Sequence, residues 1–297
     1  MRKVCLPLDV VLIILEYYSD QSMLYELSLT CRTMSPHALR QLWYMPYVSN
    51  ITSLFYLSTT LQLSNPQYAY KDWIVGLALH MRKEKDGYSY QIIHKDIFEG
   101  LSQLRLEILS LQQIHVLKEN ATFFELFLKS QLNQGLSELH LYDCTPVTFT
   151  SISKAIQQEP RIHLRSLAIH HCSLTDHQVE KLVQFCPTLH TLRLEKCGCL
   201  SDTATIAIAQ NCPLLHTLVV TLPPNIVQSN MITLQTLQAL NSNCLSLNKF
   251  ICTGQTRIAE FSHLFTWTVT TTVLETDPVI NADLSPLRTN RAFFLKK

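Results

Sequence analysis

Residues 164–197 read LRSLAIHHCSLTDHQVEKLVQFCPTLHTLRLEKC, and they hold one phrase twice. Leu164, Leu167, Ile169 and Cys172 return as Leu189, Leu192, Leu194 and Cys197, the spacing in both being L-x-x-L-x-L-x-x-C. A third good copy lies upstream at Leu136, Leu139, Leu141 and Cys144. Looser copies start at Ile74, Leu106, Leu215 and Leu247, so the first positions advance in steps of 25 to 32 residues. A second marker keeps the same phase: Cys186, Cys212 and Cys244 each stand three residues before a repeat's first leucine. A period of this length signals stacked units, none of which can bury its own apolar face alone.

Within a unit, L-x-L reads as a short strand whose alternate side chains point to opposite faces. The two leucines enter a shared core, and the third, fifth and seventh positions of the unit project from the other face. In the five repeats that start at Leu136, Leu164, Leu189, Leu215 and Leu247 those are Glu138, His140, Tyr142, Ser166, Ala168, His170, Thr191, Arg193, Glu195, Thr217, Val219, Thr221, Lys249, Ile251 and Thr253. Thr175-Asp176 and Ser201-Asp202 then look like helix N-caps, and Val179–Phe185 and Ala204–Ala209 carry apolar residues at helical spacing. The fold expected is α/β, strand and helix alternating along a stack.

Over about residues 70–255 the pattern resembles the cysteine-containing subclass of leucine-rich repeats. The resemblance implies a right-handed solenoid shaped as a horseshoe, with parallel strands on the concave side and helices on the convex side. A substrate would then meet the concave face. The mid-solenoid set His140, Tyr142, His170, Arg193 and Glu195 mixes an aromatic with charged hydrogen-bonding groups, a composition common at binding hot spots. Polar residues of this kind are equally what any exposed strand carries.

Residues 5–44 do not follow the repeat. Leu6-Pro7-Leu8-Asp9 leads into a first helix over Val10–Tyr17, Gln21–Thr30 reads as a second, and Ser35-Pro36 opens a third that ends near Trp43. The ordered set Leu6-Pro7, Asp9, Ile13-Ile14-Leu15, Leu27, Leu29, Cys31-Arg32 and Leu42-Trp43 resembles an F-box, with Asp9 where that family more often has Glu. The family binds a Skp-type adaptor, which links to a cullin, and its members select a substrate for ubiquitin transfer while doing no chemistry themselves. Carried onto this chain, adaptor contacts would come from Leu6, Pro7, Val10, Ile14, Leu24 and Leu27, although each could equally be internal core. A plain helical cap on a repeat scaffold is the alternative. The organisation expected is an F-box over 1–45, a helical linker over 46–73, the repeat solenoid over 74–255 and a C-terminal cap and tail over 256–297, with one more strand within Thr266–Val273.

Composition narrows the function classes. There are 24 Lys+Arg against 23 Asp+Glu, a formal charge of +1, so no basic field awaits nucleic acid or an anionic membrane. Only 6 glycines occur, and their wide separation excludes the Gly-rich phosphate loops. The apolar run Val10–Leu15 is too short for a secretory leader or a membrane span, so the 10 cysteines read as reduced thiols in a cytoplasmic or nuclear protein. The Tyr- and Phe-rich stretch from Tyr44 to Tyr70 lacks the interleaved cations of a base-stacking surface. The mixed-charge stretch Met81–Tyr90 reads as a solvated insertion. H-E-x-x-H, G-x-S-x-G and C-x-x-C are all missing, and His170-His171-Cys172 is better read as one inward cysteine and two outward histidines than as a metal site. No catalytic residue, metal or cofactor is expected.

Overall fold

The structure is a computed structural model that describes residues 10–11, 15, 20–30, 32–64, 68–81, 93, 95–159, 162–221, 223, 232–253 and 267–272. The chain divides into two compact units, Met1–Tyr44 with Leu274–Lys297, and Met45–Val273. The insertion read over Met81–Tyr90 falls outside the described residues after Met81.

In the first unit, α1 (Gln21–Thr30) and α2 (Ser35–Tyr44) pack on each other. Val10, Val11 and Leu15 upstream are also helical. Asp20 starts α1: its carboxylate accepts from the amides of Ser22 at 2.9 Å and Met23 at 3.2 Å. Among the described residues the unit's core comprises Leu15, Leu24 and Ala38, with Leu27, Met34 and Leu42 packed against it.

The larger unit is a parallel sheet whose strands follow chain order. They are β1 (Tyr47–Val48), β2 (Gly76–His80), β3 (Ile108–Gln112), β4 (Glu138–Tyr142), β5 (Ser166–His170), β6 (Thr191–Glu195), β7 (Thr217–Thr221), β8 (Lys249–Thr253) and β9 (Thr268–Thr272). Between them run α3 (Ile51–Leu61), α4 (Tyr70–Trp73), α5 (Lys95–Leu101), α6 (Ala121–Gln134), α7 (Pro146–Gln157), α8 (Asp176–Val183), α9 (Asp202–Asn211) and α10 (Leu234–Asn243). Strand order matching chain order, with helical crossovers, is a solenoid-like α/β fold. From β2 to β8 every strand starts two residues after a repeat's first apolar position, which confirms the phase read from sequence. β9 supplies the strand expected within 266–273. The segment 46–73, expected as a helical linker, belongs instead to the sheet unit. Tyr47 and Val48 pair in register with Ala78 and Leu79, so the sheet begins one strand earlier than the leucine pattern shows.

Leu109, Leu111, Leu139, Leu141, Leu167, Ile169, Leu192, Leu194, Leu218 and Val220 are all buried on the face turned to the helices. Removing each from water contributes about 2 kcal/mol, and this continuous stripe is the main source of cohesion. Each strand from β3 to β6 is followed by a left-handed residue: Gln113, Asp143, His171 and Lys196 have φ of 54°, 51°, 53° and 55°. That conformation costs a non-glycine residue about 1 kcal/mol. It also aims each N–H at the next strand's last carbonyl, with distances of 2.8 to 2.9 Å along the series.

Neighbouring repeats are also stitched at the helix starts. Thr175 and Gln178 form a reciprocal capping box at α8. Asp176 beside it accepts from the amide of Ser201 at 2.9 Å and from its hydroxyl at 2.5 Å, so one repeat's first turn holds the next repeat's N-cap. Asp202 repeats the arrangement, accepting from the Thr233 amide at 2.7 Å and hydroxyl at 2.6 Å. Gly198, at φ 109°, is required where it stands: a Cβ there would lie 2.8 Å from the Leu174 carbonyl.

Candidate functional site

The outer face of the sheet, opposite the leucine stripe, carries three rows of aligned side chains. The register puts His80, Gln112, Tyr142, His170, Glu195 and Thr221 in one row, at the C-terminal ends of their strands. Ala78, Ser110, His140, Ala168, Arg193 and Val219 form the middle row. Three of the five residues expected to bind substrate are therefore immediate neighbours: the Tyr142 and His170 rings stack at 4.3 Å and 15°, and His170 Nδ1 lies 3.4 Å from Glu195 Oε2. Arg193 joins them from the adjacent row, its Nε donating to Glu195 Oε1 at 2.7 Å and its Nη2 at 2.5 Å. His140 is set apart, with Ala168 between it and Arg193. Its Nε2 lies 3.4 Å from Glu138 Oε2 and it is only 7% exposed.

Burial would raise the Glu195 carboxyl. The hydrogen bond and charge of His170, with the Arg193 guanidinium, outweigh it and bring the pKa down to about 2. The Tyr142 phenol is pushed up, chiefly by burial, with Arg193 opposing and Glu195 reinforcing. One strand-end further on, burial and the nearby Lys196 ammonium push the His171 imidazole down. The cluster thus presents an internally paired Arg–Glu–His set beside a stacked aromatic, so its cation is already matched and offers no strong attraction to anions. Among the described residues no group of three His, Cys, Asp or Glu converges as a metal site.

Two features of this face were not read from the sequence: the pairing of Glu138 with His140, and the part of the face that precedes Leu136. Glu138 partners His140, and the row continues through Gln112 to His80, whose Nδ1 is 2.6 Å from the Tyr47 hydroxyl. The signal for Gln112 and His80 lay in the looser repeats at Leu106 and Ile74, whose projecting positions follow the same phase. Tyr47 had none, because β1 precedes the first leucine pair.

Of the expected adaptor contacts, Leu6, Pro7 and Ile14 lie outside the described residues. Val10 is exposed on its helix, Leu27 is half-buried against that unit's core, and Leu24 is 1% exposed. Leu24 therefore holds the helices together, and any effect it has on a surface runs through their packing. The exposed residues of α1 are Met23, Tyr25 and Leu29, at 45%, 56% and 68%, together with Ser22, Glu26 and Thr30. Phe55 and Tyr56 of α3, in the other unit, are exposed to a like degree, at 55% and 65%.

No protein-family model matches the chain, and no curated protein matches it either. No helix among the described residues is long and apolar enough to cross a membrane.

Proposed function

We propose that the chain is the substrate-recognition subunit of a Skp–cullin–F-box ubiquitin ligase, acting in the cytoplasm or nucleus. Its N-terminal unit would be the F-box that engages the adaptor, and its sheet unit a leucine-rich-repeat solenoid that holds a protein substrate against the outer face. The observation that carries the reading is the pairing of two unlike units in one chain. Residues 1–44, with 274–297, form a unit distinct from the one that holds the sheet, and α1 there leaves Met23, Tyr25 and Leu29 in solvent. An aligned polar face on the sheet, with Tyr142, His170, Arg193 and Glu195 together, supports the substrate half of the reading.

The test is co-expression of the full chain with a Skp-type adaptor, followed by size exclusion. The comparison is wild type against Leu6→Ala/Pro7→Ala and against Met23→Glu/Leu29→Glu. A one-to-one complex for wild type, weakened at least tenfold in both variants while each still unfolds cooperatively, is the expected outcome. A monodisperse wild-type protein that ignores the adaptor overturns the ligase reading, and the N-terminal helices are then a cap on a repeat scaffold.

A further inference from the structure

The position just after each repeat's first leucine forms a further row, at the N-terminal ends of the strands. Arg165, His190, His216 and Asn248 hold it in four successive repeats. Their backbones are in register: the His190 amide donates to the Arg165 carbonyl and the His216 amide to the His190 carbonyl, both at 2.8 Å, and the Asn248 amide to the His216 carbonyl at 2.9 Å. The two imidazoles, half-buried just before β6 and β7, are stacked with centroids 5.0 Å apart and planes 8° from parallel.

Both rings are oriented by the same bond. His190 Nδ1 lies 2.8 Å from the Thr188 carbonyl, and His216 Nδ1 lies 2.8 Å from the Leu214 carbonyl, each two residues back in the chain. A carbonyl only accepts, so Nδ1 carries the proton in both rings, and the neutral imidazole keeps its lone pair on Nε2. Because the two repeats use one geometry, the two lone pairs occupy corresponding points and face the same way. Neither Nε2 has a hydrogen-bond or ion-pair partner among the described residues. An Nδ1–H donated to a main-chain carbonyl, with Nε2 left open, is the outer bonding that metal-ligating histidines have.

We propose that His190 and His216 form a two-histidine site for a transition-metal dication of the zinc and copper class, bridging the repeats of β6 and β7 through their Nε2 atoms. Imidazole suits such ions, whereas calcium and magnesium take oxygen ligands. Two nitrogens bound at about 2.1 Å to one tetrahedral ion lie roughly 3.4 Å apart, so each ring swings its Nε2 inward by under about 1 Å, pivoting on the Nδ1 bond within one rotamer well. Among the described residues no third His, Cys, Asp or Glu joins them, so water fills the remaining positions. Arg165, exposed beside His190 in the row, brings a positive charge that opposes the ion. The site lies off the outer face and does not depend on what that face holds.

The test titrates the full-length chain, its exposed thiols first blocked with N-ethylmaleimide, with Zn²⁺ and with Cu²⁺ by calorimetry. One ion per chain, Cu²⁺ held more tightly than Zn²⁺ and Mg²⁺ and Ca²⁺ silent, is the expected result. His190→Asn and His216→Asn keep a short side-chain amide but lack Nε2, like the natural Asn248, and each should weaken binding roughly tenfold or more by breaking the two-point attachment. Arg165→Ala should tighten it. Long-range proton–nitrogen spectra should show Zn²⁺ moving the two Nε2 signals while Nδ1 stays protonated. Undiminished binding in the double asparagine variant overturns the site, as does weaker binding in Arg165→Ala or a stoichiometry of two chains per ion. Loss of binding in His177→Ala, the exposed histidine paired with Glu180 on α8, moves the ion elsewhere and overturns it too. Should an asparagine variant fail to fold, the wild-type spectra decide, and unmoved Nε2 signals overturn the proposal.

Discussion

The two ends of the sheet unit solve one problem with different chemistry. Every unit must turn from helix back to strand, and the turn leaves buried backbone groups needing partners. Toward the C-terminal end the partner is a thiol from the next repeat: Cys212 reaches the Cys186 carbonyl at 3.6 Å and Cys244 reaches that of Cys212 at 3.4 Å. Toward the N-terminal end the partner is a fully buried glutamine. Gln131 of α6 accepts from the Leu106 amide and donates to the Leu104 carbonyl, both at 3.1 Å. Around it the helices pack through Phe98, Phe124 and Phe127. A thiol is a soft group that mostly fills space and can be repeated at a fixed position. A glutamine amide makes two directed bonds and suits one local geometry.

The largest effect should come from the glutamine. Gln131→Ala leaves a buried amide and a buried carbonyl unpartnered and opens a cavity, a loss of about 3 kcal/mol in the urea unfolding free energy. Cys212→Ala removes one buried sulfur and a weak bond, for about 1 kcal/mol. Equal losses at the two sites would erase the distinction between the halves.

That distinction also explains what was legible in the sequence. Where the stitching residue recurs in phase, as Cys186, Cys212 and Cys244 do, it announces the repeat and fixes its register. The Asp176 and Asp202 pairs were readable as helix caps for the same reason, although their hold on Ser201 and Thr233 in the following repeat was not. Gln131 occurs once, so no period reveals it, and β1, with only Tyr47 and Val48, is too short to carry one. At the candidate site the strand phase placed Tyr142, His170, Arg193 and Glu195 on one face. The stacking of the rings and the convergence of His170 and Arg193 on Glu195 depend on side-chain rotamers, which alternation does not encode. Leu24 shows the converse limit: an apolar stripe on a short helix cannot say which residues meet a core and which meet a partner.

The mildest test concerns the outer face, where the same contrast recurs as charge. β3 contributes uncharged Gln112 to the row that Glu195 joins from β6. Glu195 titrates near 2 in the folded chain against an ordinary 4.5, because His170 and Arg193 outweigh the burial that would raise it. A carboxyl depressed in this way stabilises the fold fully above 4.5, and that contribution drains away as the pH falls toward 2, since the unfolded chain takes up the proton first. Glu195→Gln should therefore be less stable than wild type at pH 6, and the gap between their urea midpoints should narrow steadily from pH 4.5 downward. Gln112→Ala, which removes no charge, should keep a constant gap across the same range. If the Glu195→Gln gap is also flat, the Arg193 and His170 contacts contribute shape to this face and no net electrostatic stability.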